Sequence, residues 1–303
     1  MNPNVAASVK DRLLNRARGP GEEFERTLAR FASERVLYRL GMSSARDRCL
    51  LKGASLLAVW LPEPYRATRD IDLLASGPSD EAAIRSLLEE ICAEPCPEDG
   101  LRFSLDDLRV DPIRADEEHA GKRARFFAYL GTARIRVQID FGFGDSLDAE
   151  PESVEYPTLL SELPAPRLRA YPREAAVAEK FEAMVKLDIR NSRMKDFHDV
   201  WALAGAFSFD GATLRRAVVE CFARRGTPLR DELPRALSPA FYEDVDLRSR
   251  WTGYLQSGDL VTPPPAQFEL IGELVIQFLG PVRRSIALSE PFAFRWPPGG
   301  PWA

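Results

Sequence analysis

Residues 65–76 read YRATRDIDLLAS and set two aspartates, Asp70 and Asp72, on either side of one isoleucine. The apolar run that follows predicts a strand, and on a strand residues two apart point the same way. Two carboxylates held that close resist joint ionisation. A divalent cation removes the conflict. Mg²⁺ takes oxygen ligands, commonly one or two carboxylates together with substrate phosphates. A paired-metal site can hold both the attacking and the leaving oxygen of a phosphoryl displacement. A D-x-D pair alone also fits an ordinary polar strand face, so its company decides.

That company lies on both sides. Upstream, Gly53 ends a short strand, and Ala54 and Ser55 lead into an apolar helix. Such a turn aims backbone N–H groups and a hydroxyl at a phosphate. Downstream, Ile135, Val137 and Ile139 alternate with Arg136, Gln138 and Asp140, the period of a strand. If this strand lies beside the first, Asp140 joins the pair as a third metal-binding carboxylate.

Two later helices carry further candidates. Over 174–188, Val177, Phe181, Met184 and Val185 make one apolar face, with Lys180 at its edge and Glu179 and Lys186 nearly opposite. An edge position suits a packed stem and an ammonium that reaches phosphates. Over 192–205, with Ser192 as N-cap, Phe197, Val200, Trp201 and Ala204 turn inward while Asp196 and Asp199 share the other flank. Asp196 is suited to orient Lys180 or accept a proton. Only six of the 41 basic residues are lysine, yet three of them fall between 180 and 195, as expected where a compact ammonium is required. His198–Asp199 is similar to the metal pair of HD phosphohydrolases. The one other histidine, His119, does not complete such a set, so His198 is read as ordinary.

The elements that must position these residues fall into two groups. Strands interleaved with helices come first and helices alone come later, which predicts an α+β domain followed by a mostly helical one. A helix over residues 21–41 precedes the glycine turn. The proline-punctuated stretch PESVEYPTLLSELPAPRLRAYP reads as an extended linker with a boundary near 165–172, dividing 1–168 from 169–303. Helices are predicted over 173–188, 192–205, 211–225 and 265–280, and the tail FRWPPGGPWA as irregular. The net charge of −5 argues against non-specific coating of nucleic acid but leaves room for a local basic cleft. No apolar run approaches a membrane span, and no secretory signal opens the chain. The four cysteines form no zinc set. Together these predict a cytoplasmic protein with reduced cysteines.

The blocks SARDRCLLKGASLLAVW…YRATRDIDLL, VQIDFGFGD, YPREAAVAEKFEAMVKL and NSRMKDFHDVWAL, in this order, resemble the AbiEii (abortive infection) nucleotidyltransferase toxin family over roughly residues 20–255. The resemblance implies a polymerase-β-like nucleotidyltransferase domain with a small mixed sheet, followed by a helical domain. It implies a toxin of a toxin–antitoxin pair that binds a nucleoside triphosphate with Mg²⁺. Some members block translation by adding nucleotides to the 3′ end of tRNA. The family's D-x-D falls on Asp70 and Asp72, and its glycine-turn motif on Lys52, Gly53, Ala54 and Ser55. Its motif lysine falls on Lys180, and its K-D motif on Lys195 and Asp196. Many members have a second glycine where this chain has Ala54. Arg66 and Arg69 flank the metal strand and suit phosphate contacts.

The reaction so implied is transfer of a nucleoside monophosphate to a hydroxyl with loss of pyrophosphate. Two other readings are open at this point. One is transfer to a small hydroxylated molecule, as in antibiotic-modifying relatives. The other is a non-catalytic nucleotide- or partner-binding module, in which Asp140 would lie away from the D-x-D. A tRNA acceptor calls for a basic groove, for which RNSR (190–193) and FARRG (222–226) are the candidates, and the pair implies a cognate antitoxin.

Overall fold

The computed structural model describes residues 3–19, 23–61, 70–113, 121–144, 150–229, 232–257, 260 and 262–303. It divides into two compact units, one running to Tyr171 and the other comprising Pro172–Ala303 apart from short inserted segments.

Strict alternation builds the first unit. In order, α1 (Pro3–Arg18) and α2 (Phe24–Met42) precede β1 (Cys49–Lys52), α3 (Ser55–Trp60), β2 (Ile71–Ala75) and α4 (Glu81–Ala93). A hairpin run follows: β3 (Leu101–Pro112), β4 (Lys122–Leu130) and β5 (Ala133–Gly142), then β6 (Glu152–Glu155) and β7 (Arg167–Ala170). These strands form one seven-stranded mixed sheet in the order β3-β4-β5-β2-β1-β7-β6. The β2–β5 and β1–β7 pairs are parallel and the others antiparallel. Ile135, Val137, Ile139 and Phe141 of β5 and Ala124, Phe126 and Ala128 of β4 are buried, and β5 packs on α2. Each large apolar side chain so buried contributes about 1.5–3 kcal/mol.

The stretch expected to be a linker is part of this sheet. β7 spans both sides of the expected 168/169 division, and Leu159, Leu160 and Leu163 are buried. Prolines end its short strands without detaching them. Helix α2 fastens the segment: Arg35 donates to the Pro164 carbonyl at 2.9 and 3.0 Å, and Glu34 accepts from the Leu159 N–H at 2.6 Å. Arg39 forks onto Asp99 at 2.6 and 3.2 Å in the same buried network. Burial pushes the Glu34 carboxyl up to about 7, against the opposing pull of the Leu159 N–H and Arg35.

The second unit is helical: α5 (Arg173–Leu187), α6 (Met194–Ala206), α7 (Gly211–Arg224), α8 (Pro239–Glu243), α9 (Val245–Leu255) and α10 (Phe268–Ala287). Phe197, Phe241, Tyr242 and Phe268 form an aromatic centre with ring centroids 4.8–6.5 Å apart. The tail is largely irregular, as expected, but it is docked on the helices. β9 (Arg295–Trp296) pairs with β8 (Phe209–Asp210), Trp296 is fully buried, and Trp302 stacks on Phe278 at 5.7 Å. Two tryptophans supply enough apolar area to dock a proline- and glycine-rich segment, and their N–H groups donate to the Ala204 and Phe278 carbonyls. Among the described residues, no helix is long and apolar enough to cross a membrane.

Candidate active site

Register assembles the carboxylates. Lys52 of β1 opposes Asp72 of β2, Asp72 opposes Asp140 of β5, and Asp140 opposes Arg123 of β4. Register partners on adjacent strands present side chains to the same face. One row across four strands therefore carries a lysine, two aspartates and an arginine, with the two acids adjacent at its centre. Asp70 immediately precedes β2, and its charge acts on Arg123 together with that of Asp72.

The glycine turn presses on this row. Gly53 has φ 68°, and a Cβ there would stand 2.6 Å from Asp72 Cγ. No L side chain fits, because both the backbone angle and the space exclude it. Ala54, at φ −70°, caps α3, and Ser55 is buried with its hydroxyl donating to the Asp70 carbonyl at 3.3 Å. Ser55 thus ties the turn to the D-x-D strand, a different task from meeting a phosphate. The Lys52 ammonium lies 5.6 Å from the Tyr171 ring centre and beside Gly142 of β5.

Asp140 is gripped by Arg123 through two bonds, Nε to Oδ1 at 2.8 Å and Nη2 to Oδ2 at 2.7 Å. This fork, first, and then the charges of Asp140, Asp70 and Asp72 favour the charged guanidinium. Arg123 is not among the expected site residues, because its role follows from the β4–β5 pairing; the alternation of KRARFF with RVQID is the one signal that could have found it. Among the described residues, no group of three His, Cys, Asp or Glu side chains is drawn together as a metal cage. Asp70 and Asp72 fit a cation that takes two carboxylates and completes its shell from phosphates. The Asp72 carboxylate fills the room that the missing Cβ of Gly53 leaves. In this structure both oxygens of Asp140 are taken by the Arg123 guanidinium.

The helical unit gathers a second cluster. Lys180 of α5 donates to Asp199 at 2.6 Å and lies 3.4 Å from Asp196, both on α6, and Arg193 pairs with Asp196 at 2.8 Å. The two aspartates are 1% exposed. The ammonium is therefore held by carboxylates, and Asp199, on the expected flank but not among the expected site residues, makes the closer contact. Lys186 and Lys195 are exposed. Helix α6 begins at Met194 with Arg193, not Ser192, at its N-cap. His198 is buried, with Nδ1 2.8 Å from the Tyr254 hydroxyl and its ring beside Trp201 and Trp251. Arg66, Arg69 and His119 lie outside the described residues.

The two stretches expected to form a basic groove offer less than their composition suggests. Phe222 is in the core, Arg225 pairs with Glu179 and Glu182 at 2.9 and 3.0 Å, and Arg193 is engaged by Asp196.

The family model described as "Nucleotidyl transferase AbiEii toxin, Type IV TA system" matches residues 35–273. Among solved structures, the chain is similar to JHP933 from Helicobacter pylori, at 12% identity and a TM-score of 0.48, over 85% of this chain and 95% of that one. A second H. pylori structure, provisionally described as a nucleotidyltransferase, matches at 12% identity and a TM-score of 0.48, over 86% and 95%. No curated protein matches the chain.

Proposed function

The chain belongs to the AbiEii family of nucleotidyltransferase toxins of type IV toxin–antitoxin systems, and from that premise we propose that it transfers a nucleoside monophosphate from a triphosphate to the 3′ hydroxyl of tRNA. The observation that carries this reading is the alignment of Asp72 with Asp140 on parallel strands, with Gly53 packed against the Asp72 carboxylate. A binding module that merely kept the fold has no need of that row.

Asp70 and Asp72 would hold Mg²⁺, and Asp140, which Arg123 grips here, is the candidate for a further ligand. Bound there, the cation supplies charge neutralisation along the triphosphate. The backbone of the Gly53 turn and the ammonium of Lys52 take further phosphate charge. The acceptor hydroxyl gives its proton to solvent and its oxygen bonds to the α-phosphorus as the bond to the β-phosphate oxygen breaks, and pyrophosphate leaves with that electron pair. Positioning and fixed charge account for most of such catalysis. Addition at the 3′ end of tRNA blocks its charging and so translation, which sets the action in the cytoplasm and calls for a cognate antitoxin.

The test is to incubate the protein with each α-labelled triphosphate, Mg²⁺ and either total tRNA or a panel of small hydroxylated acceptors. Label in tRNA is expected. Label only in small molecules would overturn the tRNA assignment, and no label in any acceptor would overturn the transfer reading.

A further inference from the structure

The face that carries Asp140 continues well beyond it. Moving down β5, Gln138 opposes Arg125, Arg136 opposes Phe127, and Arg134 opposes Tyr129. On the outer strand, Arg109 opposes Arg125, Ser104 opposes Phe127 and Arg102 opposes Tyr129. All share the Asp140 face because strand side chains alternate. Arg102, Arg109, Arg134 and Arg136 are exposed, and Phe127 and Tyr129 are half-buried. Asp140 and Arg134 are six residues apart, about 20 Å of strand.

Both rings on this face are covered by a guanidinium. Arg134 lies 3.6 Å over Phe127, and Arg102 lies 4.5 Å over Tyr129. Aromatic rings and guanidinium planes are the surfaces on which unpaired bases stack, while arginines meet the phosphates between them. On β4 and β5 this face carries no acid other than Asp140; Asp106, Asp107 and Asp111 stand on the outer strand β3. The pairs Arg125–Asp111 at 2.7 Å and Arg134–Asp107 at 3.1 Å are solvent-exposed. Exposed pairs are worth about 0–1 kcal/mol, so these arginines exchange readily onto phosphates. The face offers two aromatic rings and no aliphatic side chain, whereas a protein partner requires an apolar centre. In a chain of net charge −5, this concentration of arginine is local.

From this we infer that the β3–β4–β5 face is a track for single-stranded RNA leading to Asp140. The inference rests on the nucleotidyl-transfer reading, whose acceptor strand the track holds. It moves acceptor binding away from residues 190–193 and 222–226, where ion pairs and the core engage Arg193, Arg225 and Phe222.

Fluorescence anisotropy tests the track with the full-length protein, without triphosphate or metal. The probe is a labelled oligouridylate about 12 nucleotides long. Arg134→Gln with Arg136→Gln should weaken binding roughly tenfold and lower the slope of log affinity against log salt by about 1.4, or 0.7 for each lost contact. Phe127→Ala should weaken it at every salt concentration. Arg190→Gln with Arg224→Gln should bind like the wild type. Arg136→Gln alone serves if the double variant fails to fold, with about half the change in slope. The track is overturned if the wild type does not bind, or if the folded sheet variants keep wild-type affinity and slope. It is also overturned if only the 190/224 variant loses binding. Triphosphate binding measured in parallel separates the two readings, because triphosphate binding without RNA binding overturns the track and leaves nucleotidyl transfer standing.

Discussion

Arg123 and Asp140 face each other across β4 and β5, and the guanidinium forks onto both carboxylate oxygens at 2.8 and 2.7 Å. A cation already fills the place where a metal ion would meet Asp140. Removing the guanidinium relieves cation–cation repulsion of about 1–2 kcal/mol at the site. Arg123→Gln should therefore bind Mn²⁺ roughly tenfold more tightly, read by electron paramagnetic resonance of the free ion without nucleotide. Unchanged or weaker Mn²⁺ binding would mean that Asp140 takes no part in metal binding.

Gly53 is the tightest constraint on the row. Gly53→Ala forces a side chain onto a positive φ and into the Asp72 carboxylate. The expected cost is about 1–3 kcal/mol in urea unfolding, with loss of triphosphate binding. Ala54→Gly, at an ordinary φ of −70°, should leave triphosphate binding intact. Equal behaviour of the two variants would contradict the close approach at Gly53.

Lys180 compensates the charge of Asp199, which is 1% exposed, and shares Asp196 with Arg193. Lys180→Met strands that charge and should destabilise the protein by roughly 3–5 kcal/mol. Adding Asp199→Asn should restore part of the loss, because one stranded charge disappears. If the single and double variants unfold at the same denaturant concentration, the pairing contributes nothing to stability.

Glu34 gives stability a pH dependence. Burial raises its folded pKa from 4.5 to about 7, so the folded state holds a proton that the unfolded chain gives up. The contribution is complete below pH 4.5 and is lost as pH rises to about 7, a change of about 3 kcal/mol. Glu34→Gln should flatten this part of the profile in denaturant titrations at several pH values. A variant profile parallel to that of the wild type would assign the slope to other groups.

Much of the sheet unit was legible because its periodicities are local. Alternation at Ile135–Asp140 and the Asp70–Asp72 pair each announce a strand face, and their adjacency required only that β2 and β5 pair. Arg123 could not be read the same way, since it acquires Asp140 only when the β4–β5 hairpin closes. The stretch from Glu152 to Ala170 misled because prolines mark breaks in sequence, while its hold on the sheet comes from Glu34 and Arg35, more than a hundred residues earlier. Helical spacing put Asp196 and Asp199 on one flank, but which of them reaches Lys180 depends on how α5 packs on α6. The tail's order depends on where Trp296 and Trp302 dock, which no local pattern encodes.

If Asp70 and Asp72 drive nucleotide transfer, removing one of the two charges should abolish it. The most direct measurement is α-labelled nucleotide incorporated into total tRNA by the wild type and by Asp72→Asn, with matched folding confirmed by circular dichroism. The wild type should incorporate label, and the variant should lose at least about a hundredfold of that incorporation. Equal incorporation by a folded Asp72→Asn protein would contradict that role for the pair.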